Sequence, residues 1–311
     1  MNRRPLIVRL RNWVGDVVLG VPALRLLEAH GYELELVGKG WARALLAGQG
    51  WRTHAHAKGL AERVRQLRAL RVDALGRDRA FASRENALVL PTSFSSALEM
   101  RLAGLRAVGY AHEARGLLLA RSEPRPGACH SLEEYWHLAC RFLGVEAGTP
   151  RSIDLATTLE AQRSADALLA ARGVREGFIV ICPFAGGMVD KQQKTWPRFP
   201  AFTSALIAQG HQVVVCPGPG EERIVEELHA GTTMLAGVDL GVYGGLLRRA
   251  RLIVSNDTGP AHLAAAVGTR VISVLGPTLP EQWAPWGPTV EIARRWPGWP
   301  SVDEVLERVA S

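Results

Sequence analysis

Three strand-to-helix turns carry residues able to manage a proton and a departing anion. The first reads Arg11-Asn12-Trp13-Val14-Gly15-Asp16. Gly15 permits a tight approach, and Asp16 stands where a helix should begin. Asp16 is then either the helix cap, the commonest use of Asp at that place, or a general base able to take a proton from an attacking hydroxyl. The second turn follows the apolar run Phe178–Pro183 and reads Phe184-Ala185-Gly186-Gly187, with Lys191 and Lys194-Thr195-Trp196-Pro197 further on. The pair Gly186-Gly187 exposes backbone N–H groups that can hold an anion. Lys194 adds a point charge suited to a phosphate, or is a solvated loop lysine. The third turn, Asn256-Asp257-Thr258-Gly259-Pro260-Ala261-His262, ends the apolar run Leu252–Ser255. Pro260 is tolerated in a first helical turn. The N–H groups of Thr258, Gly259, Ala261 and His262 are expected to point out of the helix N-terminus, which with its dipole suits a diphosphate. His262 faces the same place or is a packed, neutral helix histidine.

Weaker candidates surround these turns. In the run Gly218-Pro219-Gly220-Glu221-Glu222, either glutamate could bind ribose hydroxyls, and both could equally be first-turn carboxylates favoured by the dipole. His54 and His56 alternate without a third ligand in sight, so no metal site is expected. Neither a G-x-G-x-x-G nor a G-x-x-x-x-G-K-[ST] run occurs, which removes the dinucleotide fingerprint and the P-loop. The four cysteines, Cys129, Cys140, Cys182 and Cys216, show no C-x-x-C spacing and read as reduced thiols of a cytosolic protein.

These turns need a scaffold that presents strand ends beside helix N-termini. Short apolar strands alternate with amphipathic helices along the whole chain, which predicts α/β architecture with parallel sheets covered on both faces. The expected strands include 5–10, 33–37, 87–90, 178–183, 212–216, 252–255 and 270–275. A helix is expected over 16–30, starting late or bending at Pro22, which lacks an N–H. Ser301 with Glu304 predicts a capping box on the last helix. Periodicity lapses in Gly148–Asp154, and a length of 311 residues suits two domains, 1–155 and 156–311, with a cleft between them. In such sheets ligands sit at the carboxyl ends of strands.

The composition, 47% hydrophobic and 22% charged, excludes a disordered chain. No apolar run approaches the roughly 18–20 residues of a spanning helix, and Arg9 and Arg11 interrupt the N-terminal one, so no signal peptide is expected. The net charge of +7 is uneven: residues 1–158 hold 23 basic and 15 acidic side chains, residues 159–311 hold 14 and 15. A basic first half suits an anionic partner. The charge is densest between Lys58 and Arg84, where Arg65, Arg68 and Arg71 recur at a helical spacing of three. No zinc-finger or RNP-type motif supports nucleic-acid binding, and no nucleic-acid partner is expected.

Taken together, the residues resemble glycosyltransferase family 9, the ADP-heptose:lipopolysaccharide heptosyltransferases. Val14-Gly15-Asp16-Val17-Val18 with Pro22-Ala23-Leu24 is similar to that family's first motif, Ser93–Gly109 to its acceptor-side segment, and Lys194-Thr195-Trp196-Pro197 to its Lys-x-Trp-Pro element. Asp257–His262, followed by Val274-Leu275-Gly276-Pro277-Thr278, is similar to its most diagnostic stretch. The resemblance implies a GT-B fold: two Rossmann-like domains whose parallel sheets face across a cleft, an N-terminal acceptor-binding domain and a C-terminal donor-binding one. It implies inverting, metal-independent heptosyl transfer from ADP-heptose, with no cofactor beyond the donor co-substrate. It also implies roles: Asp16 as base with Gly15 beside it, Lys194 on the diphosphate, Asp257 on the sugar, and Thr258, Gly259 and His262 on the phosphates. Gly186, Gly187 and Thr195 fall on the donor side; Glu221, or else Glu222, goes to the ribose, and Val238 near the adenine. Ser93, Ser95, Arg65 and Arg68 fall on the acceptor side. The implied acceptor is an anionic glycolipid, which places the enzyme in the cytoplasm, peripheral at the inner membrane's cytoplasmic face. The resemblance leaves open another nucleotide sugar or glycan acceptor, or a sugar-nucleotide 2-epimerase on the same scaffold. The chain departs from the family at Asn12-Trp13, where small or polar residues are usual, and between Gly187 and Lys194, which lacks a Thr pair found in some members.

Overall fold

The computed structural model describes residues 3–189 and 191–311. The chain divides into two compact units, one formed by residues up to Leu46 with Gly50–Pro150, the other by Ala47–Gln49 with Arg151–Ser311.

The first unit contains strands β1 (Arg4–Arg9), β2 (Tyr32–Gly38), β3 (Arg52–Ala55), β4 (Ala87–Val89), β5 (Ala107–Tyr110) and β6 (Arg121–Glu123). Its helices are α1 (Val14–Ala29), α2 (Ala42–Leu46), α3 (Leu60–Arg77), α4 (Phe94–Leu102) and α5 (Ser131–Leu143). The strands form one all-parallel sheet in the order β3-β2-β1-β4-β5-β6. This is the doubly wound order, whose switch point lies between β1 and β4. The apolar runs form strands because both sheet faces are covered. On one face Ile7, Val37, Ala87 and Val89 pack with Val64 and Leu67 of α3 and Met100 of α4.

The second unit contains β7 (Ile179–Cys182), the small antiparallel hairpin β8 (Met188–Val189) and β9 (Gln192–Gln193), β10 (Val213–Val215), β11 (Thr233–Met234), β12 (Leu252–Asn256), β13 (Arg270–Leu275) and β14 (Val290–Arg294). Its helices are α6 (Leu159–Ala171), α7 (Phe199–Ala208), α8 (Glu222–Leu228), α9 (Leu240–Leu247), α10 (Gly259–Ala266), α11 (Pro280–Trp283) and α12 (Val302–Ala310). Its six-stranded parallel sheet, ordered β11-β10-β7-β12-β13-β14, repeats the doubly wound pattern, with the switch point between β7 and β12. The capping box of α12 forms between Ser301 and Glu304 as expected.

Two local expectations are corrected. Helix α1 starts at Val14 and runs through Pro22 rather than starting late, with Val17–Leu24 all buried along it. Burial of this stretch outweighs the one backbone bond that proline forfeits. Asp16 is not the cap: Trp13 is the N-cap residue and makes no side-chain capping bond. Asp16 lies three positions into the first turn, where a carboxylate is still favoured by the dipole.

Candidate active site

In the first unit, β1 delivers Arg9 at its end, then Arg11 and Asp16 across the turn into α1. The Asp16 Oδ1 accepts a hydrogen bond from the Tyr135 hydroxyl at 2.5 Å and pairs with the Arg11 Nε at 3.4 Å. Both contacts fall on one carboxylate oxygen, and the side chain is only 10% exposed. Burial, with the Asp16 charge beside it, pushes the Tyr135 hydroxyl well above the usual phenol range, so it remains a donor. The carboxylate is thus held through Oδ1, and among the described residues Oδ2 has no partner.

Cations crowd this strand edge. Arg9, almost fully buried, donates through Nε to Glu99 of α4 at 3.0 Å and through Nη2 to the Asn12 Oδ1 at 3.1 Å. His56 and Arg63 also reach Glu99, at 3.3 and 3.4 Å. Burial raises the Glu99 pKa, but the hydrogen bond from His56 and the charge of Arg9 outweigh it, so the carboxyl sits below its ordinary value. Arg115, in the turn after β5, is buried: Nη1 donates to the Pro91 carbonyl at 2.8 Å, and among the described residues it has no acidic partner and its Nε and Nη2 no acceptor. Burial, then the Arg11 charge, pushes its pKa down to about 10. A buried guanidinium with unmet donors is costly.

In the second unit, the residues meet at the switch point. The Lys194 Nζ lies 2.9 Å from the Asp257 Oδ2, and the Thr278 hydroxyl donates to the same oxygen at 2.7 Å. Lys194 is therefore a paired, mostly buried lysine rather than a solvated one. Its position follows from its neighbours. Trp196 is fully buried, stacks edge-on against Phe199 and donates Nε1–H to the Pro300 carbonyl at 3.1 Å. Asn256, also fully buried, accepts from the Trp196 N–H at 2.9 Å and donates Nδ2 to the Pro183 carbonyl at 2.6 Å. One amide thereby ties the end of β7 and the Lys194 segment to the end of β12. Gly276 is required beside them: a Cβ there would lie 2.3 Å from the Trp299 ring.

The N-terminus of α10 differs in one respect from expectation. The Ala261 N–H is consumed by the Thr258 carbonyl at 3.1 Å, closing the first turn tightly. Thr258 and Gly259 keep their N–H groups outside the backbone ladder, and His262 is buried within the helix. Gly186 and Gly187 are exposed after β7, and Thr195 is partly buried. Glu221 accepts from the Gly218 N–H at 2.7 Å and Glu222 from the Gly220 N–H at 2.9 Å, so each closes the loop after β10. Burial pushes the Glu221 carboxyl up despite that bond. Val238 lies partly buried just before the Asp239 cap of α9.

Ser93 and Ser95 are exposed around the start of α4, and Arg65 is exposed on α3. Arg68 donates to the Leu102 carbonyl at 3.0 Å, so the arginine row is partly engaged with the end of α4. His54 and His56 are spent on Glu35 and Glu99. Among the described residues, no group of three or more His, Cys, Asp or Glu side chains is placed to hold a metal ion. The four cysteines are free, and burial pushes the Cys182 thiol up to about 12.

Sequence reasoning gave no role to Tyr135, Asn256 or Thr278. Asn256 and Thr278 each follow an apolar run within a quoted motif, whereas Tyr135 lies inside a helix with no local signal.

Relatives bear on these two strand-end sites. Lipopolysaccharide heptosyltransferase 3 of Escherichia coli is 37% identical over 124 residues, which is 37% of this chain and 35% of that protein. The chain thus spans about a third of that relative's length in the match. Lipopolysaccharide heptosyltransferase 2 of Escherichia coli K12 is 26% identical over 94% of this chain and 88% of its own. Among solved structures, the ADP-heptose lps heptosyltransferase II of E. coli shares the fold, with a TM-score of 0.78 and 22% identity over 98% of this chain and 97% of that one. The model of glycosyltransferase family 9 (heptosyltransferase) matches residues 79–305, Lys194 and Asp257 among them, and the chain belongs to that family.

Proposed function

We propose that this protein transfers heptose from ADP-heptose to a lipopolysaccharide-core acceptor, with inversion and without a metal ion. The observation that carries the reading is the Lys194–Asp257–Thr278 cluster at the switch point beside the N-terminus of α10. In the reaction, the acceptor oxygen attacks the anomeric carbon and its proton passes to the Oδ2 of Asp16. The bond from the anomeric carbon to the diphosphate breaks, and ADP leaves with that electron pair. Lys194 and the N–H groups of Thr258 and Gly259 meet the growing negative charge. Asp257 receives the sugar hydroxyls, Glu221 the ribose, and Val238 lies near the adenine.

On this reading the first unit takes the acceptor and the second the donor. Ser93, Ser95, Arg65 and Arg68 lie on the acceptor side, and the basic α3 supports peripheral association with an anionic membrane surface in the cytoplasm, worth about 1 kcal/mol per Lys or Arg near the surface.

A donor panel tests the assignment. ADP-heptose should raise the melting temperature and yield ADP with acceptor, while UDP-, GDP- and dTDP-sugars should do neither. Stabilisation and turnover by a uridine or guanosine sugar instead would overturn it.

A further inference from the structure

We propose that Tyr135 is a positioning residue for proton transfer: its hydroxyl holds one oxygen of Asp16 so that the other meets the acceptor hydroxyl. The proposal rests on the reading that Asp16 is the base. The Tyr135 hydroxyl donates to the Asp16 Oδ1 at 2.5 Å. A short O–H donor to a carboxylate is among the stronger single contacts a side chain makes. Arg11 reaches the same oxygen at 3.4 Å, longer than an ordinary hydrogen bond, from a side chain that is 22% exposed. Tyr135 is only 2% exposed, so of the two it has the fixed place. Arg11 adds charge, and Tyr135 sets the direction.

Both packed helices fix that geometry. The start of α5 is pinned by a capping box between His130 and Glu133. The Tyr110 hydroxyl of β5 donates to the Glu134 carbonyl at 2.6 Å, which ties the residue before Tyr135 to the sheet. On the other side the ring lies against α1 at Gly20, where a Cβ would stand 3.9 Å from the Tyr135 Cδ2. Gly20 follows Asp16 by four residues, so one face of α1 presents both to Tyr135. With its ring bedded in this way the hydroxyl has one place to be. Proton transfer needs such placement, because a shift of about 1 Å in a reacting group can cost about 10²-fold. A donor on a carboxylate also lowers its basicity. Removing the hydroxyl therefore has two opposed effects: lost placement slows the transfer, and gained basicity speeds it. The rate recovers only part of a change in basicity, so the loss of placement should win.

The test uses Tyr135→Phe in the full chain, alone and combined with Asp16→Asn. The readouts are acceptor-dependent ADP release, ADP affinity by calorimetry, and melting temperature to set an assay temperature at which every variant is folded. Alone, Tyr135→Phe should lower kcat by about ten- to a hundredfold, the scale of a lost hydrogen bond to a charged group. KM for the acceptor and ADP affinity should stay near the wild-type values. Added to Asp16→Asn, it should cost less than about twofold, because no base remains to be placed. An unchanged or raised kcat in the single variant would reduce the hydroxyl to a modulator of basicity and overturn the positioning role. A loss carried by KM, or an equal loss with and without Asp16→Asn, would overturn it as well, since either marks an effect that does not pass through Asp16. Failure of the base assignment shows separately, as near-wild-type ADP release by Asp16→Asn alone.

Discussion

Replacing Asn256 with Asp changes one atom's chemistry and keeps the shape. The Oδ1 can still accept from the Trp196 N–H, but the second oxygen now faces the Pro183 carbonyl where an amide donor stood 2.6 Å away. An ionised carboxylate there would be fully buried against another oxygen. Burial of that kind raises a carboxyl pKa by about 3–5 units, each worth about 1.4 kcal/mol. At pH 7, about three units above the unfolded value near 4, the variant should therefore lose about 4 kcal/mol. The sign follows from the raised folded-state pKa: the deficit is small below the unfolded value near 4 and grows as pH rises towards the folded one. Between about pH 7.5 and pH 5 the gap to wild type should narrow by about 3 kcal/mol. Calorimetric melts of both proteins at the two pH values measure it. A gap independent of pH, or a variant as stable as wild type at neutral pH, would refute the role given to Asn256. The variant should also bind ADP weakly wherever it is folded, because the same amide holds the Lys194 segment.

Other expectations rest on separate contacts. Lys194→Ala should weaken ADP binding by at least tenfold as well as turnover, since it removes a charge-assisted partner of the diphosphate; unchanged ADP affinity by calorimetry would remove Lys194 from the donor site. Chelators should leave turnover unaltered, whereas a strict divalent-cation requirement would contradict the metal-free scheme. Glu99→Gln should destabilise the protein by about 3–5 kcal/mol, the cost of leaving a buried Arg9 without its anion, and a urea titration showing under about 1 kcal/mol would count against that network. His229, buried on the Thr203 hydroxyl at 2.9 Å, has its pKa lowered by burial. Its contribution is full above the ordinary imidazole value of about 6.5 and is lost as pH falls through the lowered folded value. His229→Gln should flatten that part of the stability profile, and an unaltered slope would show that another group titrates there.

The doubly wound pattern was readable because central parallel strands are apolar throughout, as Ile179–Cys182 and Leu252–Asn256 show. The edge strands escaped notice for the complementary reason. β3, β6 and β14 carry Arg52, Arg121, Glu123, Glu291 and Arg294, which an alternating or apolar pattern does not pick out. Lys194 and Asp257 stood out through their local motifs, and the structure adds that they pair with one another. The partners that hold them did not stand out. Tyr135 meets Asp16 across 119 residues of sequence, and Asn256 meets Trp196 across 60, so only the tertiary fold brings them together. Asp16 itself was legible as a first-turn carboxylate, but its cap reading failed because the helix begins earlier, at Val14.

On the proposed reading, Asp16 takes the acceptor proton during heptosyl transfer from ADP-heptose. Acceptor-dependent ADP release by Asp16→Asn tests it most directly, because the amide can keep the Tyr135 hydrogen bond while losing the base. Turnover should fall by about 10²–10⁴, with ADP affinity and melting temperature close to wild type. Near-wild-type ADP release by the variant would contradict it.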